Sequence, residues 1–409
     1  MADFYDTHCH IMNLSHPNFI SFIKRINIAE YLFVLSLPFV GPIISSVFYA
    51  SKKKNLFNTL SFMDKDISDA IRSIEQKDIL PLFENGLKIE DVTYEKIVLT
   101  PLMIDFGQKY ISKVDNEIWY NESSHKAIKN QVIDLFNGIA EYFSSDKLAK
   151  KINIFPFLGI NPKNYDLEDE LDENGNIKTV GIKSLLNKYF SDYSAGNINN
   201  RKQKLLENMG KFKDIDTLGN YAFAGVKLYP PLGFDPWPDD EKEKEKVKYL
   251  YSLCMQKKIP ITTHCGTGGF QTIDTNICKV TASPKRWSEV LKNYPELRIN
   301  FAHFTNNLSD QRKDIVFLML DYPNVYTDLA YVCFSENNYE EVERDLKKFA
   351  GSSENLSKAY QRVIFGSDFS INLLKAESYL TYLKVFKNTR GFSGKKFLLD
   401  SKNPESFLF

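Results

Sequence analysis

Cysteine is scarce in this sequence, and its spacing suits neither a disulfide framework nor a zinc ribbon. The 409 residues include five cysteines, an odd number without a CxxC pair, and this pattern excludes both arrangements. Most of the five stand among apolar residues. We therefore expect reduced thiols buried in the core, at Cys9, Cys254, Cys265, Cys278 and Cys333.

An excess of charge of either sign is also absent. The 52 basic and 52 acidic residues give a formal net charge of zero, so the chain offers no broad positive field to a nucleic acid. The first residues show no basic segment followed by an apolar run and a cleavage site, and no secretory signal is expected. A small-molecule substrate and a cytoplasmic location are the resulting expectations.

Long uncharged runs are rare, and residues 31–50, YLFVLSLPFVGPIISSVFYA, stand out. This run is about as long as a membrane span requires, but Pro38, Gly41 and Pro42 interrupt it. A span would also separate the first strand from the strands with which we expect it to pair. We predict a buried or interfacial helical hairpin instead, and a homodimer interface is a second way to cover the run.

Short runs rich in β-branched and aromatic residues alternate with helical patterns. This alternation is typical of an α/β fold with a parallel sheet, and eight runs suit a (β/α)8 TIM barrel of roughly 250 residues. The chain is longer, so we predict one barrel domain over residues 1–409 with helical insertions at about 11–95 and 163–220, on the face that carries barrel active sites. The predicted strands are Phe4–His8, Ile97–Met103, Ile152–Leu158, Ala224–Leu228, Ile261–His264, Arg298–His303, Val325–Leu329 and Arg362–Ser367.

Two of the six histidines stand one residue apart in the segment DTHCH, directly after the first apolar run. Alternate residues of a strand point to the same side, so His8 and His10 share a face from which both imidazoles can bind one ion. A purely structural role is equally open for an isolated HxH pair. His16 and His125 have loop or helix-start contexts, and we predict that they lie at the surface.

Further metal-ligand residues stand at the ends of later predicted strands. His264 ends IPITTHCG, His303 ends RINFAHF and Asp368 follows RVIFG, and a parallel barrel brings such ends together on one face. His8, His10, His264 and Asp368 supply three nitrogens and one carboxylate. This set suits Zn²⁺ and also accepts Mn²⁺ or Fe²⁺.

Lys227, in the segment GVKLYPP near the end of the fourth strand, has three interpretations. As an ammonium it would contact an anionic substrate. Carboxylated by CO₂, it would instead bridge to a second metal ion. The structural alternative is a lysine that extends out of the barrel mouth to solvent. One or two ions per chain are therefore both open.

The sequence resembles the amidohydrolase superfamily of metal-dependent (β/α)8 enzymes. An HxH pair after strand one, a lysine after strand four, histidines after strands five and six, and an aspartate after strand eight follow the order of that family. The amidohydrolase-related branch, which includes hydrolases and non-oxidative decarboxylases, is the more similar. Its segments resemble IPITTHCGTGG, SPKRWSEVLKNYPELRINFAHF, YPNVYTDLAY, VIFGSDF and NPESFLF in this sequence.

The resemblance implies a role for each of the collected side chains. Asp368 would be both a metal ligand and the general base that takes a proton from a metal-activated water. His303 would polarise the substrate carbonyl or bind the second ion together with Lys227. Asp328 and Tyr331, at the end of strand seven, would orient the ligands or the substrate, and Tyr229 would line the pocket, with ordinary packing as the alternative for all three.

These residues lead to one principal functional hypothesis and two alternatives. The principal one is a metal-dependent hydrolase in which a metal-activated water attacks an amide, ester or lactone carbonyl. The first alternative is a metal-dependent decarboxylase of an aromatic or unsaturated acid. The second is a non-catalytic barrel that binds a membrane or partner through residues 31–50. The apolar insertion hints at a hydrophobic or large substrate.

Overall fold

The computed structural model describes residues 2–17, 52–84, 86–106, 126–211, 217–266, 268–271, 273–305 and 309–409. The apolar run at 31–50 and His125 lie outside the described residues. No helix in the described ranges has both the length and the apolar character that a bilayer crossing requires.

Parallel strands stand where the sequence predicts them, and two short antiparallel hairpins accompany them. One barrel position is divided into two pieces by Phe155 and Pro156, which lie between them in the chain. The strands are β1 (Ala2–Cys9), β2 (Leu87–Ile89), β3 (Val92–Pro101), β4 (Ile152–Ile154), β5 (Phe157–Gly159), β6 (Glu170–Leu171), β7 (Ile177–Thr179), β8 (Gly225–Leu228), β9 (Ile261–Thr263), β10 (Ile299–Phe301), β11 (Val325–Asp328) and β12 (Val363–Ile364).

The parallel strands close into a ring of eight positions. β1 pairs with β3 and β3 with β4, and β5, β8, β9, β10, β11 and β12 follow one another in a second parallel sheet. Two parallel bridges join the sheets, one between Leu102 and Phe157 and the other between Cys9 and Phe369. The predicted (β/α)8 barrel is therefore confirmed, and the C-terminal ends of its strands meet on one face.

Helices cover the outside of this ring and contribute to the connections between strands. A π-helical segment, Glu75–Ile79, joins the second helix to the third. The helices are α1 (Lys52–Met63), α2 (Ile67–Ile74), α3 (Leu80–Phe83), α4 (Ile128–Ser144), α5 (Ile182–Phe190), α6 (Ile198–Asn208), α7 (Glu241–Lys257), α8 (Thr275–Thr281), α9 (Ser288–Asn293), α10 (Ser309–Asp321), α11 (Glu336–Ala350), α12 (Ser353–Tyr360), α13 (Tyr379–Asn388) and α14 (Asn403–Leu408).

Helix α7 shows how the sequence produces these outer elements. The Asp240 side chain accepts a hydrogen bond from the Glu243 backbone N–H at 2.9 Å and caps the N-terminus, where a negative charge also favours the helix dipole. Lys258 ends the helix in the left-handed conformation. The predicted apolar face is confirmed, because Val247, Leu250, Tyr251 and Cys254 are all buried. The exposed charged residues Glu241, Lys242, Glu245 and Lys248 form the solvated face, whereas Lys246 is buried.

The described parts of the two long connections contain both helices and hairpins. Before β3 the chain forms α1 to α3 and then β2, which pairs antiparallel with β3. The second connection forms the hairpin of β6 and β7 around the predicted turn ENGN, and then α5 and α6. The five cysteines all lie in described residues, where they are buried and form no disulfide. The expectation of reduced core thiols is thus confirmed.

Candidate metal centre

The end of β1 lies directly beside the loop that follows β12. Backbone N–H groups of Ser367 and Asp368 donate to the carbonyl oxygen of His8 at 3.1 and 2.7 Å, and Ser370 N–H donates to the carbonyl of His10 at 3.0 Å. His8, His10 and Asp368 are all buried. The backbone pairing therefore holds the Asp368 carboxylate against both imidazoles.

The ring of His10 is fixed in one tautomer by its backbone partner. Its Nδ1 lies 2.8 Å from the carbonyl oxygen of Leu102, and a carbonyl can only accept, so Nδ1 carries the proton. Burial lowers the pKa of His10 and favours the neutral ring. The Nε2 atom of the neutral ring then carries a lone pair instead of a proton, and this atom lies 3.1 Å from Oδ1 of Asp368.

His8 is oriented in the same way, with a carboxylate in place of the carbonyl. Its Nδ1 lies 2.9 Å from Oδ2 of Asp328, and its Nε2 lies 3.3 Å from Oδ1 of Asp368. Among the described residues this Nε2 has no hydrogen-bond partner. Burial works against the imidazolium, yet the Asp328 carboxylate outweighs it and raises the pKa of His8.

Asp328 has all of its hydrogen-bonding capacity occupied by donors, which suits a positioning group better than a metal ligand. Its Oδ2 also accepts from Asn300 Nδ2 at 2.7 Å, while Oδ1 accepts from the backbone N–H groups of His303 at 2.8 Å and Ala330 at 3.0 Å. Burial would raise the pKa of Asp328, but the charge and hydrogen bond of His8 outweigh it and hold this pKa below its usual range.

The donor set fits a divalent cation. The nitrogens of His8 and His10 and a carboxylate oxygen of Asp368 lie within 4.8 Å of one another, and His8, His303 and Asp328 form a second group by the same measure. Two imidazole nitrogens and a carboxylate are the ligands that Zn²⁺, Mn²⁺ and Fe²⁺ accept. Hydrogen bonds at both Nδ1 atoms are the arrangement that orients histidine ligands.

His303 and His264 form a pair beside this group. His303 Nδ1 lies 2.9 Å from the Ala330 carbonyl oxygen, and its Nε2 lies 3.2 Å from Nδ1 of His264. Burial, followed by the charge of His8, lowers the pKa of His303 to about 4. At neutral pH the Nε2 of His303 therefore has no proton, and it can accept a hydrogen bond from Nδ1 of His264. The predicted ligand His264 stands beside His303, outside the two groups above.

Lys227 is buried at the same end of the barrel. Its Nζ has no hydrogen-bond partner among the described residues, and it lies 5.6 Å from the centre of the Tyr229 ring. Burial lowers the pKa of Lys227 to about 8, although Asp328 and Asp368 oppose this. The structural alternative, a lysine that reaches solvent, does not fit this burial.

The two predicted tyrosines lie in different surroundings. The Tyr229 ring stands 4.6 Å from the His264 ring, measured between centres, and its hydroxyl accepts from the Phe270 backbone N–H at 2.8 Å. Tyr331 is half-buried, with its ring 5.2 Å from that of Phe334 and 4.5 Å from Nζ of Lys375. The structure thus brings Tyr229 to the histidine cluster, whereas the ring contacts of Tyr331 lie with Phe334 and Lys375.

Two polar residues of the site escaped the sequence interpretation. Asp6 is fully buried and accepts from the backbone and the hydroxyl of Ser367 at 2.9 and 2.5 Å, so it holds the segment that carries Asp368. Asn300 supports Asp328 from β10. The period of two in a strand could have found Asp6, because it stands two residues before His8.

The prediction that His16 lies at the surface is wrong. Its side chain is only 3% exposed, and Nε2 lies 2.9 Å from Oδ2 of Asp134 on α4. Lys126 Nζ also binds that carboxylate, at 2.5 Å. A local sequence context cannot reveal this burial because the covering residues come from a helix more than a hundred positions later.

Residues 213–386 match the model of the amidohydrolase family. The matched range contains Lys227, His264, His303 and Asp368, and the HxH pair of β1 lies before it. The match confirms the resemblance to the amidohydrolase-related branch, a group of metal-dependent enzymes, over this range. No curated protein matches the chain.

Several solved structures match the chain at low sequence identity. A probable 2-pyrone-4,6-dicarboxylic acid hydrolase from Acinetobacter baumannii is 12% identical to this chain. The alignment covers 77% of this chain and 84% of the hydrolase, with a TM-score of 0.41. A 5-carboxyvanillate decarboxylase from Novosphingobium aromaticivorans with bound manganese is 8% identical over 100% of this chain and 97% of its own, with a TM-score of 0.44. A Burkholderia multivorans amidohydrolase with bound zinc is 12% identical over 46% and 64%, with a TM-score of 0.30.

Proposed function

We propose that this protein is a metal-dependent hydrolase that cleaves an amide, ester or lactone bond with water. The observation that carries the proposal is the contact between Nε2 of His10 and Oδ1 of Asp368 at 3.1 Å. Neither atom has a proton to give when His10 is neutral, so two lone pairs face each other, an arrangement that a cation between them would stabilise. The Nε2 atom of His8 lies 3.3 Å from the same oxygen and offers a third lone pair when His8 is neutral.

The ion that these ligands fit best is Zn²⁺, with Mn²⁺ and Fe²⁺ as alternatives. A bound divalent ion supplies Lewis acidity, which lowers the pKa of a water molecule toward neutrality and polarises a carbonyl. Asp368 is in our proposal the general base, since its carboxylate can accept the proton of the attacking water and pass it to the leaving group.

His303 suits a ligand better than a hydrogen-bond donor to the substrate. Its Nδ1 proton is directed to the Ala330 carbonyl, and its pKa of about 4 leaves Nε2 without a proton at neutral pH. Of the two roles that the family resemblance implies, ion binding is therefore the one that the hydrogen bonds support. A second ion held by His303 and a carboxylated Lys227 is part of the hypothesis to be tested.

Lys227 also supports a second candidate function, the decarboxylation of an aromatic or unsaturated acid. Below its pKa of about 8 the buried amine is charged, and it has no hydrogen-bond partner among the described residues. A substrate carboxylate would provide that partner. The amidohydrolase-related branch includes both reactions, so the choice between them needs a direct measurement.

Metal content is the first measurement. Protein purified without chelator or affinity metal is analysed for elements, with His8→Ala as the ligand-deficient control. About one ion per chain supports a site of His8, His10 and Asp368 that is completed by a further ligand. About two supports the carboxylated Lys227, and an ion content near zero that added Zn²⁺ or Mn²⁺ does not raise contradicts the proposal.

The reaction type is decided by turnover in ¹⁸O-labelled water. Hydrolysis places the label in the acid product, whereas decarboxylation releases CO₂ and leaves the remaining product without it. Asp368→Asn is expected to lower kcat by at least about a hundredfold, while circular dichroism stays unchanged. Asp321→Asn, an exposed substitution at the end of α10, is the matched control. Full activity in Asp368→Asn would exclude Asp368 as the base.

A further inference from the structure

The turn after β10 carries His303 and has a backbone that its sequence does not favour. It spans Ala302–Thr305, and its last three residues have φ angles of 72°, 38° and 53°. All three, His303, Phe304 and Thr305, bear a side chain, and in this left-handed region the Cβ atom comes too close to the following carbonyl oxygen. Contacts from outside the turn must therefore hold it in place.

Two of these contacts come from the end of β11 and the residues just after it. The backbone N–H of His303 donates to Oδ1 of Asp328 at 2.8 Å, and its Nδ1 lies 2.9 Å from the carbonyl oxygen of Ala330. Both contacts fix His303 itself. Neither reaches the carbonyl group of Phe304, the next residue of the turn.

Arg312, on α10, reaches this carbonyl group. Its Nε donates to the carbonyl oxygen of Phe304 at 3.3 Å, and its Cζ lies 5.5 Å from the centre of the Phe304 ring. The arginine is only 1% exposed. A buried guanidinium is costly unless its donors are paired, so its other nitrogens also need partners.

The partners of Nη1 come from α11. Nη1 of Arg312 donates to Oε1 of Glu341 at 2.9 Å and to Oδ2 of Asp345 at 2.6 Å. The guanidinium thus contacts the His303 turn through Nε and the neighbouring helix through Nη1. Because the group is planar and rigid, the two carboxylates on α11 determine where Nε points.

We propose that Arg312 is a positioning residue of the metal centre, which holds the peptide after His303 and thereby keeps the imidazole beside the rings of His8 and His264. Those rings lie 4.7 and 4.8 Å from the His303 ring, measured between centres. The ligand role of His303 rests on the proposed function, whereas the contacts of Arg312 do not depend on it. The purely structural alternative is that Arg312 only joins α10 to α11.

Two substitutions separate these roles because they keep different parts of the side chain. Arg312→Lys keeps a cation for Glu341 and Asp345 but has a methylene group in place of the Nε–H. Arg312→Gln keeps an N–H as many bonds from the backbone as Nε and loses the cation. Asp345→Asn is a milder variant, which weakens the support of Nη1 and keeps the arginine. Lys313→Gln, an exposed change at the next position of α10, is the matched control.

Nitrogen NMR of the histidine rings in the metal-free protein is the first measurement, because these signals report the proton position and hydrogen bonds of each imidazole. His303→Ala assigns the signals of His303. Arg312→Lys is expected to shift these signals, and Asp345→Asn to shift them in the same direction. Arg312→Gln and Lys313→Gln are expected to leave them in place.

The second measurement is the affinity for Co²⁺, which accepts the same kinds of ligand as Zn²⁺ and is followed by its visible absorption. This affinity is expected to fall about tenfold in Arg312→Lys, toward that of His303→Ala, and about twofold or less in Arg312→Gln. Urea denaturation of the metal-free protein is expected to give the opposite order. Arg312→Gln should be the less stable of the two, because it removes the cation that pairs with Glu341 and Asp345.

The outcomes separate this proposal from the one on which it rests. Unchanged His303 signals in Arg312→Lys, or in Asp345→Asn should the lysine variant not fold, overturn the positioning role although the metal centre stands. Equal losses of Co²⁺ affinity in Arg312→Lys and Arg312→Gln do the same. Shifted His303 signals in Arg312→Lys, together with an unsubstituted protein that binds no Co²⁺, overturn the metal centre and support the hold of Arg312 on the turn.

Discussion

Replacement of Asp328 by asparagine tests whether this carboxylate sets the tautomer of His8. Asp328 accepts four hydrogen bonds of 2.7 to 3.0 Å, one of them from Nδ1 of His8. An asparagine of the same shape keeps one oxygen and presents an NH₂ group in place of the other. With the NH₂ group toward His8, the imidazole proton must move from Nδ1 to Nε2, which removes the lone pair that faces Asp368.

The expected losses of metal affinity and of stability in Asp328→Asn follow from the number of groups that lose a partner. Loss of a group that orients a histidine ligand typically weakens metal binding roughly 10- to 100-fold, which corresponds to about 1.4 to 2.8 kcal/mol. Each buried donor left without an acceptor costs about 1 to 3 kcal/mol of stability in addition. We therefore expect Asp328→Asn to fold with a lower free energy of unfolding. We expect its metal affinity to be roughly 10- to 100-fold weaker than that of the unsubstituted protein.

Competition with a chelator of known affinity measures the first quantity, and urea denaturation of the metal-free protein measures the second. The exposed substitution Asp321→Asn should change neither. A metal affinity of Asp328→Asn within twofold of the unsubstituted protein would refute the reasoning, because His8 would then present Nε2 without help from Asp328.

Two further predictions concern stability away from the metal centre. Burial raises the pKa of Asp400 well above its usual value, although Tyr94 donates a hydrogen bond to its carboxylate at 2.8 Å. A raised pKa in the folded state gives stability that is lost as the pH rises. Urea denaturation should show that Asp400→Asn has a higher free energy of unfolding than the unsubstituted protein at pH 8. This difference in free energy should become smaller toward pH 5, and a difference that does not change with pH contradicts the prediction. Gly225→Ala would place a methyl group 2.5 Å from the carbonyl oxygen of Pro260 and should destabilise the barrel by about 1 to 3 kcal/mol. Gly196→Ala, with no neighbour closer than 3.9 Å, is the control and should be nearly neutral; equal stabilities of the two variants would show that β8 has room for the methyl group.

The sequence could predict the barrel because each strand carries its own local pattern. Buried parallel strands appear in a sequence as short runs of β-branched and aromatic residues. The predicted bounds of all eight strands agree with the observed bounds to within a few residues. The site residues at strand ends could be grouped for the same reason. Asp6 could have been found from the period of two, since it shares a face of β1 with His8. The role of Asn300 and the burial of His16 could not be found, because their partners Asp328 and Asp134 are distant in the chain and bear no pattern of their own.

The sequence by itself determined the closed α/β fold, the buried thiols, and the convergence of His8, His10 and Asp368 on one face, since period and strand order fix which side chains share an end of the barrel. The tertiary structure alone decided which atoms of those side chains meet. Hydrogen bonds from the two imidazoles to the Leu102 carbonyl and the Asp328 carboxylate fix their tautomers, and His264 stands with His303. Such choices depend on differences of a few tenths of an ångström in the distances between residues that are far apart in the chain. No local sequence pattern encodes these differences.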